Sequence, residues 1–207
     1  MGPQLHGPPT APTGTLLLSG ENQGVSSSDD VRRRHDAIYA DFAVPEFRYW
    51  QVAPRLWAGR NPLSEQDLRE LAARGVTHIL DLREEEEWTG PGRVGSEAVE
   101  SAAGVGIARQ QVPIGDFSPP SAAAFTRASA WLDACFAVPG SVVFAHCRAG
   151  LQRTPTILAA WLARREGIGF GEAVERLRQD GYPGEPLQDQ RRAAEAWLAG
   201  PESFAVR

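Results

Sequence analysis

A chain of 207 residues, 42% hydrophobic and 23% charged, suits one domain with room for a terminal extension, since single cores typically occupy about 100–200 residues. This composition excludes a chain disordered throughout, a collagen-like repeat and a membrane-spanning protein, and a net charge of -5 supplies no basic field to hold a nucleic-acid backbone or an anionic membrane. All 21 basic residues are arginine, which excludes Schiff-base chemistry and the lysine-bearing phosphate loop of nucleotide hydrolases and leaves anion binding to guanidinium groups.

Residues 1–28 are rich in Pro, Gly, Ser and Thr, with Leu16, Leu17 and Leu18 as their one apolar cluster, and read as a flexible tail. Residues 29–46 read as an N-terminal extension carrying one helix, with Asp29 or Asp30 as cap and Val31, Ile38, Tyr39 and Phe42 as its apolar face, ended by Pro45. The run Tyr49–Gly59 predicts one or two short strands broken at Pro54. Ser64 followed by Asp67 predicts a capped helix with Leu68 and Leu71 facing the core and Gly75 as its left-handed terminus. Val76–Leu82 reads as a buried strand, Glu84 to Glu87 as a charged, solvated loop, and the residues after Ser96 as a short helix ended by Gly104. A strand is expected within Ile107–Ile114, a loop over Gly115–Pro120 and a helix over Ser121–Phe136. Ser141–Ala145 suits a central parallel strand covered on both faces. Helices follow over Pro155–Glu166, Phe170–Asp180 and Leu187–Ala199.

Strands and helices alternate, which predicts an α/β domain over residues 47–200: a three-layer sandwich with a central, mostly parallel sheet flanked by helices. Residues 201–207 read as a C-terminal tail. Two cysteines, Cys135 and Cys147, make no disulfide framework, and His6, His35, His78 and His146 fall in no metal-ligand spacing, so neither metal nor cofactor is expected. The N-terminus shows no basic region followed by an apolar run, and the expected compartment is the cytoplasm.

After the last expected strand comes His146-Cys147-Arg148-Ala149-Gly150-Leu151-Gln152-Arg153-Thr154, then a helix with Pro155 in its first turn. A strand, a tight loop and a helix N-terminus present several backbone N–H groups to one point, where the helix dipole adds positive character. A cysteine at the mouth of such a loop has its thiolate stabilised by those amides and by Arg153, and becomes a nucleophile. Arg153 reaches back to clamp two oxygens of a tetrahedral oxyanion, Gly150 permits close backbone approach, and Thr154 is placed to hydrogen-bond the sulfur. Cysteine and arginine at this spacing alone would occur in roughly one chain in five; adding His, Gly and Thr at their places lowers the chance to about 4 in 100,000.

The run resembles the His-Cys-x-x-Gly-x-x-Arg-Ser/Thr signature of cysteine-dependent protein tyrosine phosphatases, and the domain size resembles their dual-specificity branch. The resemblance covers about residues 47–199 and implies that family's fold. It also implies a general acid on a loop about 30 residues before the cysteine, and Asp116 lies 31 residues before Cys147 in a Pro/Gly-rich stretch. The implied activity is hydrolysis of phosphotyrosine, and of phosphoserine or phosphothreonine, through a cysteinyl-phosphate. The Cys147, Arg153, Asp116, Thr154 and His146 set would be catalytic, with His146 bonding the cysteine backbone. Residues Arg148, Ala149, Gly150, Leu151, Gln152 and Arg153 would hold the phosphate. A phosphorylated protein or a small phosphomonoester is the expected partner. An inositol phosphate, a phospholipid head group or an RNA 5′-triphosphate stays open as the substrate, as does a phosphate-binding pseudophosphatase. Gln152 stands where the dual-specificity branch usually has a small residue, and is expected at the pocket rim. Arg148 is equally a rim contact or a solvated charge. Asp81 is a weaker rival to Asp116 as acid, Gln188 and Gln190 are candidates to place the hydrolytic water, and Cys135 is a buried packing residue or a disulfide partner for Cys147.

Overall fold

The computed structural model describes residues 46–87 and 102–201; the tail, the extension helix up to Pro45 and the start of the helix expected after Ser96 lie outside these residues. Strands β1 (Tyr49–Ala53) and β2 (Leu56–Arg60) form an antiparallel hairpin. At its turn Arg55 takes φ 63, and its guanidinium donates to the Phe136 and Val138 carbonyls at 3.0 and 3.1 Å. Helix α1 (Glu65–Ala73) starts at a capping box: the Ser64 hydroxyl accepts from Asp67 N, and the Asp67 carboxylate accepts from Ser64 N. Each bond satisfies an amide that the first helical turn would leave orphaned. Strand β3 (His78–Asp81) is followed by a 3₁₀ turn, Glu85–Glu87; a second 3₁₀ turn, Ala103–Val105, precedes β4 (Ala108–Gln111). Helix α2 (Ala122–Ala137), capped by the Ser121 hydroxyl, leads to β5 (Val143–Cys147). Helices α3 (Arg153–Glu166), α4 (Phe170–Arg178) and α5 (Gln188–Ala199) complete the described fold.

The sheet order is β1-β2-β5-β3-β4, antiparallel at β1–β2 and parallel elsewhere, as the alternation of elements predicts. Side chains alternate across it with period two. Val143, Ala145 and Cys147 join the larger core beneath α2, α3, α4 and α5, whereas Phe144 joins Leu68, Leu71, Val76, Ile79 and Ile107 on the α1 side. Helix α3 is buried from Arg153 to Ala163 and packs against α2, α4 and α5, so it is buried all round rather than on one stripe. Across the helical layer, Phe125 of α2 stacks on Trp197 of α5 at 5.3 Å between ring centres.

Register decides where chemistry can occur. Arg60 of β2 and Asp81 of β3 lie beside Cys147 and His146 of β5. The four parallel strands β2, β5, β3 and β4 therefore end together, and the segments leaving them share one edge, where α/β sheets place ligands. No helix among the described residues is long and apolar enough to cross a membrane.

Candidate active site

Cys147 ends β5 and is 1% exposed. The loop after it is pinned from outside by its carbonyls. Asn61 N donates to Arg148 O at 3.2 Å, Glu185 N donates to Leu151 O at 2.7 Å, Thr156 N donates to Gln152 O at 3.1 Å, and the Tyr182 hydroxyl donates to Gly150 O. In a trans peptide the N–H points opposite to the carbonyl of the same unit, so the amides of Ala149, Leu151, Gln152 and Arg153 turn toward the loop interior. Such a set of inward amides at a helix start is an anion cradle. Gly150 makes the turn with φ 78, and a Cβ there would lie 2.3 Å from Gly59 O. Only glycine lets this loop lie against β2.

Arg153, the first residue of α3, is wholly buried. Its Nη1 donates to Glu87 Oε1 at 2.5 Å and to Ile114 O at 2.9 Å, and its Nη2 donates to Glu87 Oε2 at 2.9 Å. The same Nη2 lies 3.0 Å from Asp116 Oδ1. Burial works against its charge, but the Glu87 bonds and the nearby Cys147 and Asp116 charges outweigh it and hold the guanidinium protonated. Its Nε is buried without a hydrogen-bond partner among the described residues, a donor suited to an oxyanion oxygen. Asp116, about a quarter exposed, rides a turn closed by Ser118 N donating to Gly115 O at 3.0 Å, and Phe117 beside it takes φ 59. Cys147, the cradle, Arg153 and Asp116 therefore come together from β5, α3 and the segment after β4.

The family profile described as "Polymorphic toxin system, DSP-PTPase phosphatase" matches residues 57–167, more than half the chain and including both the loop and the Asp116 turn. The chain belongs to this DSP-PTPase phosphatase family. Human dual specificity protein phosphatase 26 is 27% identical over 132 residues, covering 61% of this chain and 58% of that protein. The chain thus spans well under two thirds of that curated relative's length. In fold it is similar to PTPMT1 in complex with PI(5)P (TM-score 0.62, 19% identity, covering 76% of this chain and 97% of the other). It is likewise similar to the active form of Tk-PTP (TM-score 0.61, 24% identity, covering 74% and 97%).

Beneath the cradle of this DSP-PTPase domain, on the α1 side of the sheet, lies a buried charged cluster. Arg83 holds Asp81 through Nε to Oδ1 at 3.0 Å and Nη2 to Oδ2 at 2.7 Å, and Arg109 Nη2 donates to Oδ2 at 2.8 Å. Burial alone would raise the Asp81 carboxyl, but His146, Arg83 and Arg109 outweigh it and hold it well below the usual carboxylate range. Asp81 is fully buried and ionised, so it anchors two guanidiniums and does not serve as an acid. His146 Nδ1 donates to Cys147 O at 3.1 Å and stands 3.7 Å from Asp81 Oδ1. Burial pushes the imidazole down to about 4, only partly offset by Asp81, so His146 is neutral at pH 7.

Several side chains sit elsewhere than the sequence suggests. Gln152 is not at the rim: it is fully buried, and its Oε1 accepts from Gln190 Nε2 at 3.4 Å. The Thr154 hydroxyl does not reach the sulfur and is buried without a hydrogen-bond partner among the described residues. Arg148 is exposed. Glu84 to Glu86 are exposed as expected, but Glu87 turns inward to Arg153. No feature of the run of four glutamates marks its last member, because the partner lies 66 residues away. Gln190 has its carboxamide engaged by protein groups rather than turned toward a water. Cys135 lies two residues before the end of α2, the end that Arg55 ties to the start of β5. Cys147 is four residues further along that strand, and both cysteines are buried free thiols in the same core.

Proposed function

We propose that this DSP-PTPase domain hydrolyses phosphomonoesters through a cysteinyl-phosphate, with phosphotyrosine in proteins as the principal substrate and phosphoserine or phosphothreonine as further ones. One observation carries the reading: a buried thiol at the mouth of a loop whose carbonyls are held outward, with Arg153 tied to Asp116 at 3.0 Å. Cys147 Sγ attacks phosphorus, forming the S–P bond as the ester P–O bond breaks, while Arg153 and the cradle amides hold the three equatorial oxygens. Asp116 gives its proton to the leaving oxygen. Water then attacks phosphorus, Asp116 takes a proton back, and the Cys147 thiolate leaves with inorganic phosphate released. The charged Arg153 fits this work because Glu87 holds both of its Nη atoms while its Nε is left without a protein partner among the described residues. His146 and Asp81 support the cradle from below.

Thiols are kept reduced in the cytosol, which supports the cytoplasm as the proposed place of action. The toxin-system description of the family adds a proposed setting, in which the phosphoproteins acted on belong to the cell that receives the domain.

The test is hydrolysis of para-nitrophenyl phosphate in the presence of EDTA. Wild type is expected to turn over and Cys147→Ser to be inactive while folded. Asp116→Ala is expected to slow phenyl phosphate far more than the nitrophenyl ester, because only the poorer leaving group needs the proton. Turnover that survives Cys147→Ser, or equal slowing of both esters by Asp116→Ala, would refute the assignment. A phosphotyrosyl peptide then tests the substrate class: hydrolysis of the aryl ester but not of the peptide would favour the non-protein substrates.

A further inference from the structure

One side chain outside both catalytic loops touches both of them. Gln190, in the first turn of α5, is fully buried. Its Nε2 donates to Ser118 O at 3.1 Å and to Gln152 Oε1 at 3.4 Å. Its Oε1 accepts from Leu187 N at 3.2 Å and lies 3.1 Å from Thr156 Oγ1, a hydroxyl 2.6 Å from Gln152 O. A carboxamide has two donors and two acceptor directions; here both donors and one acceptor direction are engaged, and the single Thr156 hydroxyl proton is shared between Gln152 O and Gln190 Oε1.

The partners divide between the two halves of the site. Ser118 is two residues past Asp116, and its own N closes the turn on Gly115 O. A hold on Ser118 O is therefore a hold on the turn that carries Asp116. Gln152 immediately precedes Arg153, and Thr156 ties the same point through Gln152 O. The cradle has further supports of its own from Asn61, Tyr182 and Glu185. Ser118 O has no other hydrogen bond among the described residues.

We propose that Gln190 is a positioning residue that fixes the Asp116 turn in register with the phosphate loop, so that proton delivery to the leaving group depends on it while oxyanion binding does not. This rests on the phosphatase reading above. Leucine at 190 would leave Ser118 O and Leu187 N unpaired, and glutamate would turn donation to Ser118 O into repulsion between oxygens.

The experiment compares kcat for para-nitrophenyl and phenyl phosphate in wild type, Gln190→Leu, Gln190→Glu, Asp116→Ala and the double variants, with tungstate inhibition as the measure of oxyanion binding. A placed general acid contributes about 10²–10⁴ in rate. Loosening it is expected to slow phenyl phosphate by about tenfold or more and the nitrophenyl ester by less than about threefold, with the tungstate inhibition constant within about twofold of wild type. In the Asp116→Ala background the selective loss should vanish, since the two residues act as one unit. Equal slowing of both esters, weakened tungstate binding, or an undiminished effect without Asp116 would each overturn the proposal. If Gln190→Leu fails to fold, Gln190→Glu carries the same comparison, because it keeps the acceptor for Leu187 N. A wild type lacking Cys147-dependent turnover would instead refute the phosphatase reading.

Discussion

Replacing His146 by asparagine isolates the energetic consequence of burying an imidazole under the cradle. The native imidazole is pushed down to about 4 by burial, whereas a free histidine titrates near 6.5. In the native state the group binds its proton less readily than in the unfolded chain. Its stability contribution is therefore fully present above about pH 6.5 and is lost as pH falls toward about 4. At about 1.4 kcal/mol for each pKa unit the complete loss is about 3.5 kcal/mol, of which about 2 kcal/mol develops between pH 7.5 and 5. Asp81 acts in a different window: its carboxyl is held low, so its contribution is lost below about pH 4, where the unfolded carboxyl takes up its proton. Asparagine does not titrate and keeps an N–H for Cys147 O. Urea unfolding at several pH values between 7.5 and 5, followed by tryptophan fluorescence, should show the wild type losing about 2 kcal/mol more than His146→Asn over that range. Every other group, His78 included, is common to both proteins. Parallel stability curves for the two would refute the claim that His146 is neutral because it is buried.

Gly150→Ala adds left-handed strain and drives a Cβ to 2.3 Å from Gly59 O; at about 2–4 kcal/mol in all the melting temperature should fall by roughly 5–15 °C. Gly140→Ala, at φ 83 but with open space around the new Cβ, should show the smaller drop on the same thermal scan, and equal drops would count against the contact. Glu87→Gln weakens the charge-assisted pair on a buried guanidinium and should cost about 1–3 kcal/mol. Tungstate should then raise the variant's melting temperature more than the wild type's, because the anion replaces the lost charge; an identical shift in both would exclude that role. Iodoacetate at pH 7 should modify Cys147 and spare Cys135, whose thiol burial pushes up to about 11, leaving about one thiolate in ten thousand. A Cys135 adduct on the folded protein, read by mass spectrometry, would contradict this.

Local chemistry was readable where neighbours in the chain decide it. Ser64 and Asp67 mark the start of α1 because a capping box closes within four residues, and Gly75 follows its end at φ 83. The alternation of strands and helices leads to the sheet in which β5 lies at the centre, and the nine-residue run at its end locates the cradle. What escaped reading depends on partners distant in sequence. Glu87 looks like one more solvated charge until the fold brings Arg153 beside it. Gln152 looks like a rim residue until Gln190, 38 residues on, draws its amide inward. Thr154 sits beside the motif arginine, yet as the second residue of α3 its hydroxyl is set by the helix rather than by the thiol. Side-chain direction at a helix start is a tertiary property, whereas the start itself is a local one.

The abutment of Gly150 on Gly59 joins the reactive loop to the outer hairpin of the sheet. An edge hairpin is ordinarily among the first parts of a sheet to open, but here it cannot swing away without removing the wall against which the loop is folded. Partial opening that spares the helical layer would therefore silence the protein before it melts. Hydrogen exchange should show the loop amides gaining deuterium in step with β2 rather than with α3, although the chain connects them directly to the helix.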